Sequence, residues 1–386
     1  MSFGLYVHYP YCRQLCPYCD FSKTVGTVHK DGAYGRALTK EMGIRAPRFS
    51  NFGTLDTIYV GGGTPSLWPM PSFLRWLNDA KTHFSLSDDI EVTFEVNPED
   101  VTLDGLKRLK DGGVNRISLG AQSFNEKVLR RLGRLHTPAD VMNSIIWIQE
   151  SGFDNWNVDL MHGVIGQTLA EVMLDLRQAL DFGTPHLSTY QLSIDPDSFV
   201  DEGESRLPLV QKDDGLLAAM YQAIVNENEA QGRAQYELTC AAIPGFESRH
   251  NLGYWQGRPY LALGAGAHGF CPQDEGAIRF ENVSRVSEYL TVISQSSGWG
   301  DLPSTELVLN QNECLEDSIL TGLRLSDGIK PTQLMQNRYG DRVKAMVKAG
   351  LMYDDSARWR TSAQGRLMLD YITEQILVIE SNSSES

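Results

Sequence analysis

The chain has 386 residues, 41% of them apolar, which is length for two or three domains and enough material for each to bury a core; a disordered or fibrous protein is excluded. Lys and Arg number 34 against 49 Asp and Glu, a net charge of −15, and no basic group is denser than Arg130, Arg131 and Arg134, so neither nucleic acid nor an anionic bilayer is an expected partner. No run approaches the roughly 18 apolar residues of a membrane span, and the first residues lack the basic and apolar regions of a signal peptide, so the expected location is the cytoplasm.

Short apolar, often β-branched runs at 5–8, 57–60, 91–95, 116–119, 157–160 and 186–191 alternate with longer helix-period segments. Leu106 and Leu109 lead to the stop Gly112-Gly113, Pro138 opens a helix through Ile145 and Ile148 toward Gly152, and 169–182 repeats the pattern. This rhythm predicts βαβ units around a parallel sheet, and six such steps fit a barrel, a partial barrel or a doubly wound sheet alike.

After Gly232 the rhythm changes. Residues 234–300 are rich in Gly, aromatic and turn residues and read as irregular structure with short strands. Helices resume over 311–321, 331–339 and 341–349. Gly350-Leu-Met-Tyr and Trp359-Arg-Thr, joined by polar residues 354–357, then predict a β-hairpin before a last helix that starts at Ser362 or Ala363. Helices with a terminal hairpin are winged-helix-like, and the polar tail 381–386 is expected to fray. The expected units are 1–232, 233–305 and 306–386.

Six cysteines divide by position. Cys240, Cys271 and Cys314 are scattered among apolar neighbours and read as core residues, whereas Cys12, Cys16 and Cys19 crowd the loop after the first strand. A chain of this length in a reducing compartment needs no disulfides. Three thiolates spaced C-x-x-x-C-x-x-C can each hold one iron of a 4Fe–4S cube; because such a cube normally takes four cysteines, one iron is left open to an outside ligand. The alternative is a Cys3His zinc site with His8. The spacing favours the cube, since zinc ligands come as two separated couples and His8 falls inside a strand.

The stretch Tyr6-Val-His8-Tyr-Pro-Tyr-Cys12-Arg-Gln-Leu-Cys16-Pro-Tyr18-Cys19-Asp20-Phe21 resembles the radical S-adenosylmethionine proteins. Within them it is similar to the branch that contains the oxygen-independent coproporphyrinogen III dehydrogenases and haem chaperones, and the likeness runs through residues 1–270 and a C-terminal domain. The resemblance implies an α/β fold, a partial (βα)6 radical-SAM barrel with a small C-terminal helical, winged-helix-like domain, which decides among the architectures left open above. It also implies a 4Fe–4S cluster on Cys12, Cys16 and Cys19 with S-adenosylmethionine chelated at the open iron.

Gly61-Gly62-Gly63-Thr64 directly follows the second strand, where α/β folds place ligands, and glycines let backbone approach a ligand closely. The family's loop contacts the methionine end of S-adenosylmethionine, which carries over to Gly62, Gly63 and Thr64. Glu95, Gln122 and Asp159 close the third, fourth and fifth strands and read as one pocket rim, carboxylates being suited to an ammonium and to ribose hydroxyls. The resemblance assigns S-adenosylmethionine contacts to Tyr6, Glu95, Gln122, Arg134 and Asp159, with Tyr18 close by. One departure is Val164-Ile165, where relatives carry Leu-Pro after His-Gly. Gly264-Ala-Gly266-Ala-His268-Gly269 fits G-x-G-x-x-G literally, but a dinucleotide fingerprint must open a helix and Pro272 follows at once, so it reads as a loop packed close to the barrel.

Two features separate the branch's members. Dehydrogenases carry a fourth cysteine two residues after the third, and here that residue is Phe21. His250-Asn251-Leu-Gly-Tyr254-Trp255 matches the HNxxYW motif associated with haem binding in the chaperones, an imidazole for iron beside flat aromatic faces. The expected function is a haem chaperone that binds haem as cargo through His250, Asn251, Tyr254 and Trp255, takes an electron from a donor and hands haem to an acceptor haemoprotein. Two alternatives stand beside it. One is a radical enzyme, in which the cluster cleaves the sulfonium and a 5′-deoxyadenosyl radical abstracts hydrogen from a porphyrinogen propionate before decarboxylation. The other is a zinc-stabilised protein without redox chemistry.

Overall fold

The computed structural model describes residues 2–25, 32–193, 210–355 and 357–377. Six strands, β1 (Ser2–Tyr9), β2 (Thr54–Gly62), β3 (Leu86–Val96), β4 (Arg116–Gln122), β5 (Asn155–His162) and β6 (His186–Gln191), pair in sequence and in parallel. Helices α1 (Ala33–Phe49), α2 (Met70–His83), α3 (Leu103–Asp111), α4 (Pro138–Glu150), α5 (Leu169–Asp181) and α6 (Asp214–Ala230) follow the strands in turn. The starts of α3, α4 and α5 were written locally: Thr102, Thr137 and Thr168 each accept a backbone N–H from the first turn.

Strand alternation sorts the residues onto two faces. Leu5, Val7, Ile58, Val60, Val92, Phe94, Ile117, Leu119 and Val158 join the apolar core shared with the helices. Of the residues between them, Tyr59 bonds Glu95, Asp159 bonds Ser118 and Asn157, and Asn157 bonds His186 across the inside, while Thr57 bonds His250. The inner face is therefore polar, an arrangement that suits a binding site better than a packed barrel interior.

The sheet does not close. Beyond β1 it continues through Tyr260–Leu263, parallel to β1, and then through the antiparallel strands His268–Gln273, Gly276–Asn282 and Ser304–Leu309; beyond β6 it continues through Cys240–Ala242 and Ala234–Gln235. This is a partial (βα)6 barrel with extended edges. Residues 234–300 are more regular than their composition suggests, because they also form the helices Arg249–Trp255 and Val286–Gln295. The first depends on a distant acceptor: the Glu91 carboxylate on β3 takes the backbone N–H groups of Arg249 (3.1 Å) and His250 (3.2 Å).

A second apolar core gathers Ile319, Tyr339, Val343, Met352, Trp359 and Ile372. The helices expected over 331–339 and 341–349 are one helix, Gln333–Lys348, in which Gly340 costs about 1 kcal/mol and burial of Met335, Tyr339 and Val343 outweighs it. The hairpin forms between Met352–Asp354 and Trp359–Thr361. The last helix comes in two pieces, Ala363–Arg366 and Leu369–Leu377, and the tail 381–386 lies outside the described residues. Cys240 and Cys271 are buried, whereas Cys314 is half-buried at a cavity wall.

The 264–269 loop does pack against the barrel. Gly264 has φ 105°, and a Cβ there would lie 2.5 Å from the His8 carbonyl oxygen and 2.7 Å from the Tyr34 hydroxyl. Its N–H donates to Glu41 (3.0 Å) and its carbonyl accepts from Asn282 (2.8 Å), within a buried cluster completed by Arg45 and Tyr289. Gly264→Ala is expected to destabilise the fold by on the order of 2–4 kcal/mol, measured as a lower denaturation midpoint; a loss below about 1 kcal/mol would show that the loop can shift freely.

Candidate functional site

A cavity of about 410 Å³ opens at the carboxyl ends of the barrel strands. Its first wall is the cysteine loop. The main chain is tied down by Thr24 N–H to the Pro10 carbonyl (2.8 Å), by Cys19 N–H to the Cys16 carbonyl (3.2 Å) and by the Tyr34 hydroxyl to the His8 carbonyl (2.8 Å), while Arg13 donates to Asp100 (2.7 Å). Cys12, Cys16 and Cys19 are half-buried along this wall. Burial raises the Cys12 thiol, and the Thr64 hydroxyl opposes that shift. Cys12, Cys16 and Cys19 all line this one cavity, a placement that suits three corner irons of a cube.

The glycines of β2 set the opposite boundary. A Cβ on Gly61 would lie 2.8 Å from a Glu95 carboxylate oxygen, one on Gly62 2.7 Å from the His8 ring, and one on Gly63 2.8 Å from the Pro10 carbonyl carbon and 2.9 Å from Cys12 Sγ. Only a strand end without side chains lets a carboxylate, an imidazole and a thiol meet there.

Glu95 accepts from the Tyr59 hydroxyl (2.7 Å) and the Gly62 N–H (3.2 Å). Desolvation, opposed by those bonds and reinforced by Asp159, pushes its carboxyl up to about 7. Asp159 is raised as well, chiefly by desolvation, and accepts from Asn157 (2.8 Å) and Ser118 (3.3 Å). Two carboxylates held in one enclosed pocket are a strong pull for a cationic ligand. Arg134 spans the site: one guanidinium nitrogen is 3.8 Å from Cys16 Sγ, the other donates to Asn97 (2.7 Å) and the Gly120 carbonyl (3.2 Å). Gln122 is the one described residue other than glycine with positive φ, 65°, just after a register shift in β4. Such strain, held where a side chain meets a cavity, marks a position built for contact.

The structure thus brings Cys12, Cys16, Cys19, Tyr18, Gly62, Gly63, Thr64, Glu95, Gln122, Arg134 and Asp159 to one cavity. Asp159 lies within β5, which runs on to His162, rather than at its end. Tyr6 is not in that cavity: its hydroxyl bonds His8 (2.9 Å), and its ring faces a second cavity. Tyr59, Asn97, Ser118 and Tyr190 line the first cavity without having been expected. Tyr59 and Asn97 stand two residues from Gly61 and Glu95, so period-two alternation could have found them.

The HNxxYW residues lie elsewhere. His250 is buried below the site, its ring bonded at both nitrogens, to Thr57 (2.8 Å) and to the Tyr254 hydroxyl (2.7 Å), and stacked on Tyr59 at 5.2 Å. Burial pushes its imidazole down to about 3, so it is neutral. Where haem-iron ligation was expected, both ring nitrogens of His250 are engaged within the protein, and His250 lines neither cavity. Asn251 is half-buried in the same helix, and Tyr254 and Trp255 border the second cavity, of about 980 Å³.

The Radical SAM superfamily matches residues 6–179. The haem chaperone HemW of Lactococcus lactis is 32% identical over 98% of this chain and 98% of its own length, and that of Escherichia coli 33% identical over 97% and 98%. This chain belongs to the HemW family of radical SAM proteins. A zebrafish relative, the mitochondrial radical S-adenosyl methionine domain-containing protein 1 of Danio rerio, is 31% identical over 97% of this chain and 87% of its own. The radical SAM coproporphyrinogen III oxidase HemN of Escherichia coli superposes with a TM-score of 0.81 over 97% of this chain and 90% of its own at 22% identity, which shows that HemN shares the fold. Membership in the radical SAM superfamily implies a 4Fe–4S cluster and S-adenosylmethionine. No helix among the described residues is long and apolar enough to cross a membrane.

The raised Glu95 carboxyl gives a test that needs no cofactor. A carboxyl whose folded pKa lies above its unfolded value contributes stability fully present below about 4.5, which is lost as pH rises through about 7. Glu95→Gln removes that titration. Its stability relative to the parent protein is expected to rise by on the order of 2 kcal/mol between pH 5 and pH 8, read by urea denaturation at both; a pH-independent difference would place the Glu95 carboxylate in an ordinary, solvated setting.

Proposed function

We propose that the chain is a haem chaperone: Cys12, Cys16 and Cys19 hold a 4Fe–4S cluster, S-adenosylmethionine sits over Gly62, Gly63 and Thr64, and haem is carried beside this centre for delivery to an acceptor haemoprotein. The observation that carries the reading is the placement of Asp20 and Phe21. These two residues line both the cysteine cavity and the larger aromatic cavity that Tyr254 and Trp255 border. The residue that stands where the dehydrogenases carry a fourth cysteine is therefore an exposed aromatic ring bordering both cavities. Full-length likeness to proteins named haem chaperones supports the same reading.

The chain's own groups have definite tasks in it. Cys12, under Gly63, fixes one corner of the cluster, and the Arg134 guanidinium beside Cys16 balances thiolate charge. Glu95 and Asp159 accept the ammonium and ribose hydroxyls of S-adenosylmethionine, Gln122 offers its amide from a strained backbone, and Tyr18 closes the side between cysteines. When loaded, the centre supplies single-electron chemistry at the sulfonium, fed by an external electron donor. Tyr254 and Trp255 serve the haem cavity as flat walls, and His250 and Asn251 serve it indirectly by holding the helix that presents them.

Protein assembled without air is expected to contain about four irons and four sulfides per chain, and a Cys16→Ala variant is expected to lose most of both. Zinc in place of iron would contradict the cluster. Incubation with S-adenosylmethionine, reductant and coproporphyrinogen III is expected to leave the porphyrinogen unchanged; protoporphyrinogen formation would make the chain a dehydrogenase.

A further inference from the structure

We propose that His268 is the axial nitrogen this chain offers to haem iron, inside the aromatic cavity on the far side of Phe21. The inference rests on the reading that the chain binds haem. It assigns the iron ligand to the 264–269 loop rather than to the HNxxYW helix.

The cavity, about 980 Å³, lies within the size range of sites that enclose a large flat ligand. Phe21, Trp255, Tyr260 and Phe270 contribute aromatic surface; the Tyr260 ring sits edge-on to Tyr254 at 4.5 Å and 6.3 Å from Phe270. Such faces suit a porphyrin macrocycle.

Iron is most readily met by an imidazole nitrogen that need not first break a hydrogen bond. Three histidines stand at or behind these walls. His8 is bonded at both nitrogens, to Tyr6 (2.9 Å) and to the Ser22 carbonyl (2.6 Å). His250 sits behind Tyr254 and is likewise bonded at both. His268 alone is open: its side chain is 64% exposed, and one ring nitrogen faces the Glu281 carboxylate at 3.5 Å while the other has no partner among the described residues. A carboxylate behind a ligating imidazole fixes its tautomer and raises its basicity. Arg279, on the same wall and paired with Asp317 at 2.6 Å, is half-exposed and can turn to a haem propionate.

The backbone supports this placement. His268 opens the strand His268–Gln273 opposite Glu281, and Gly269 has no room for a side chain, since a Cβ there would lie 2.1 Å from the Phe280 ring. The glycines of this loop thus hold the histidine at the cavity mouth.

The test is a titration of ferric haem into cluster-loaded protein, read by the Soret band and ligand-field spectrum. The parent protein is expected to show an imidazole-ligated spectrum. His268→Ala is expected to lose that spectrum and bind haem at least about tenfold more weakly, with its cluster absorbance intact, and His268→Cys to take on a thiolate-ligated spectrum. His250→Ala is expected to keep the imidazole signature while losing thermal stability. A His268→Ala protein with unchanged spectrum and affinity, or a His268→Cys protein still showing imidazole ligation, would overturn the assignment alone. Failure of the parent protein to take up haem would instead sink the chaperone reading on which it rests.

Discussion

Three consecutive residues without a Cβ at the end of β2 are the constraint on which the site depends. Gly61 makes room for Glu95, Gly62 for His8 and Gly63 for Cys12; a Cβ on any of them would lie less than 3 Å from that neighbour. A side chain at any of them would push apart the carboxylate wall, the first strand or the cysteine loop. Because interiors are close-packed and transmit strain, one methyl group here would be felt at the thiol and the carboxylate together.

That constraint works only because the inside of the barrel is polar. The alternate residues of β2 to β6 form a bonded ladder in which His186 links Asn157 (2.6 Å) to Tyr236 (2.7 Å), and Tyr236 in turn accepts the N–H of Ser248 (3.3 Å), the cap of the HNxxYW helix. The same lattice therefore reaches from the carboxylate Asp159 to the helix that walls the second cavity. Glu91 completes the connection from β3 by capping that helix. The bonds of this network favour one arrangement, because breaking them would leave buried polar groups unpaired. The HNxxYW motif is thus a structural device at least as much as a binding one: its histidine locks the helix to Thr57, and its aromatic residues face the cavity.

Much of this was legible in the sequence, for reasons that differ by element. The barrel strands were readable because each is a short apolar run, and the helices α3, α4 and α5 because of their helical apolar period, helped by the Gly112-Gly113 stop, Pro138 and Gly152. The cysteine loop and the glycine turn were readable because both are continuous in sequence and sit at strand ends. Long-range choices were not. The helix Arg249–Trp255 takes its first acceptors from Glu91, and the strand Tyr260–Leu263 finds its partner in β1, so residues 234–300 looked irregular when only local patterns could be weighed. His250 carried a motif and His268 carried none, yet burial reversed their availability. Tyr6 borders the second cavity rather than the first, its hydroxyl bonded to His8 two residues on.

Two cavities that share Asp20 and Phe21 give the fold its character: one lined by thiols and carboxylates, the other by rings and an open imidazole. The claim beneath both is that three cysteines leave one iron of the cube without a protein ligand. A Mössbauer spectrum of protein assembled anaerobically with isotopically enriched iron, recorded before and after S-adenosylmethionine is added, tests it directly. One iron in four should separate from the rest and shift when S-adenosylmethionine binds. Four irons that stay indistinguishable and indifferent to S-adenosylmethionine would contradict it.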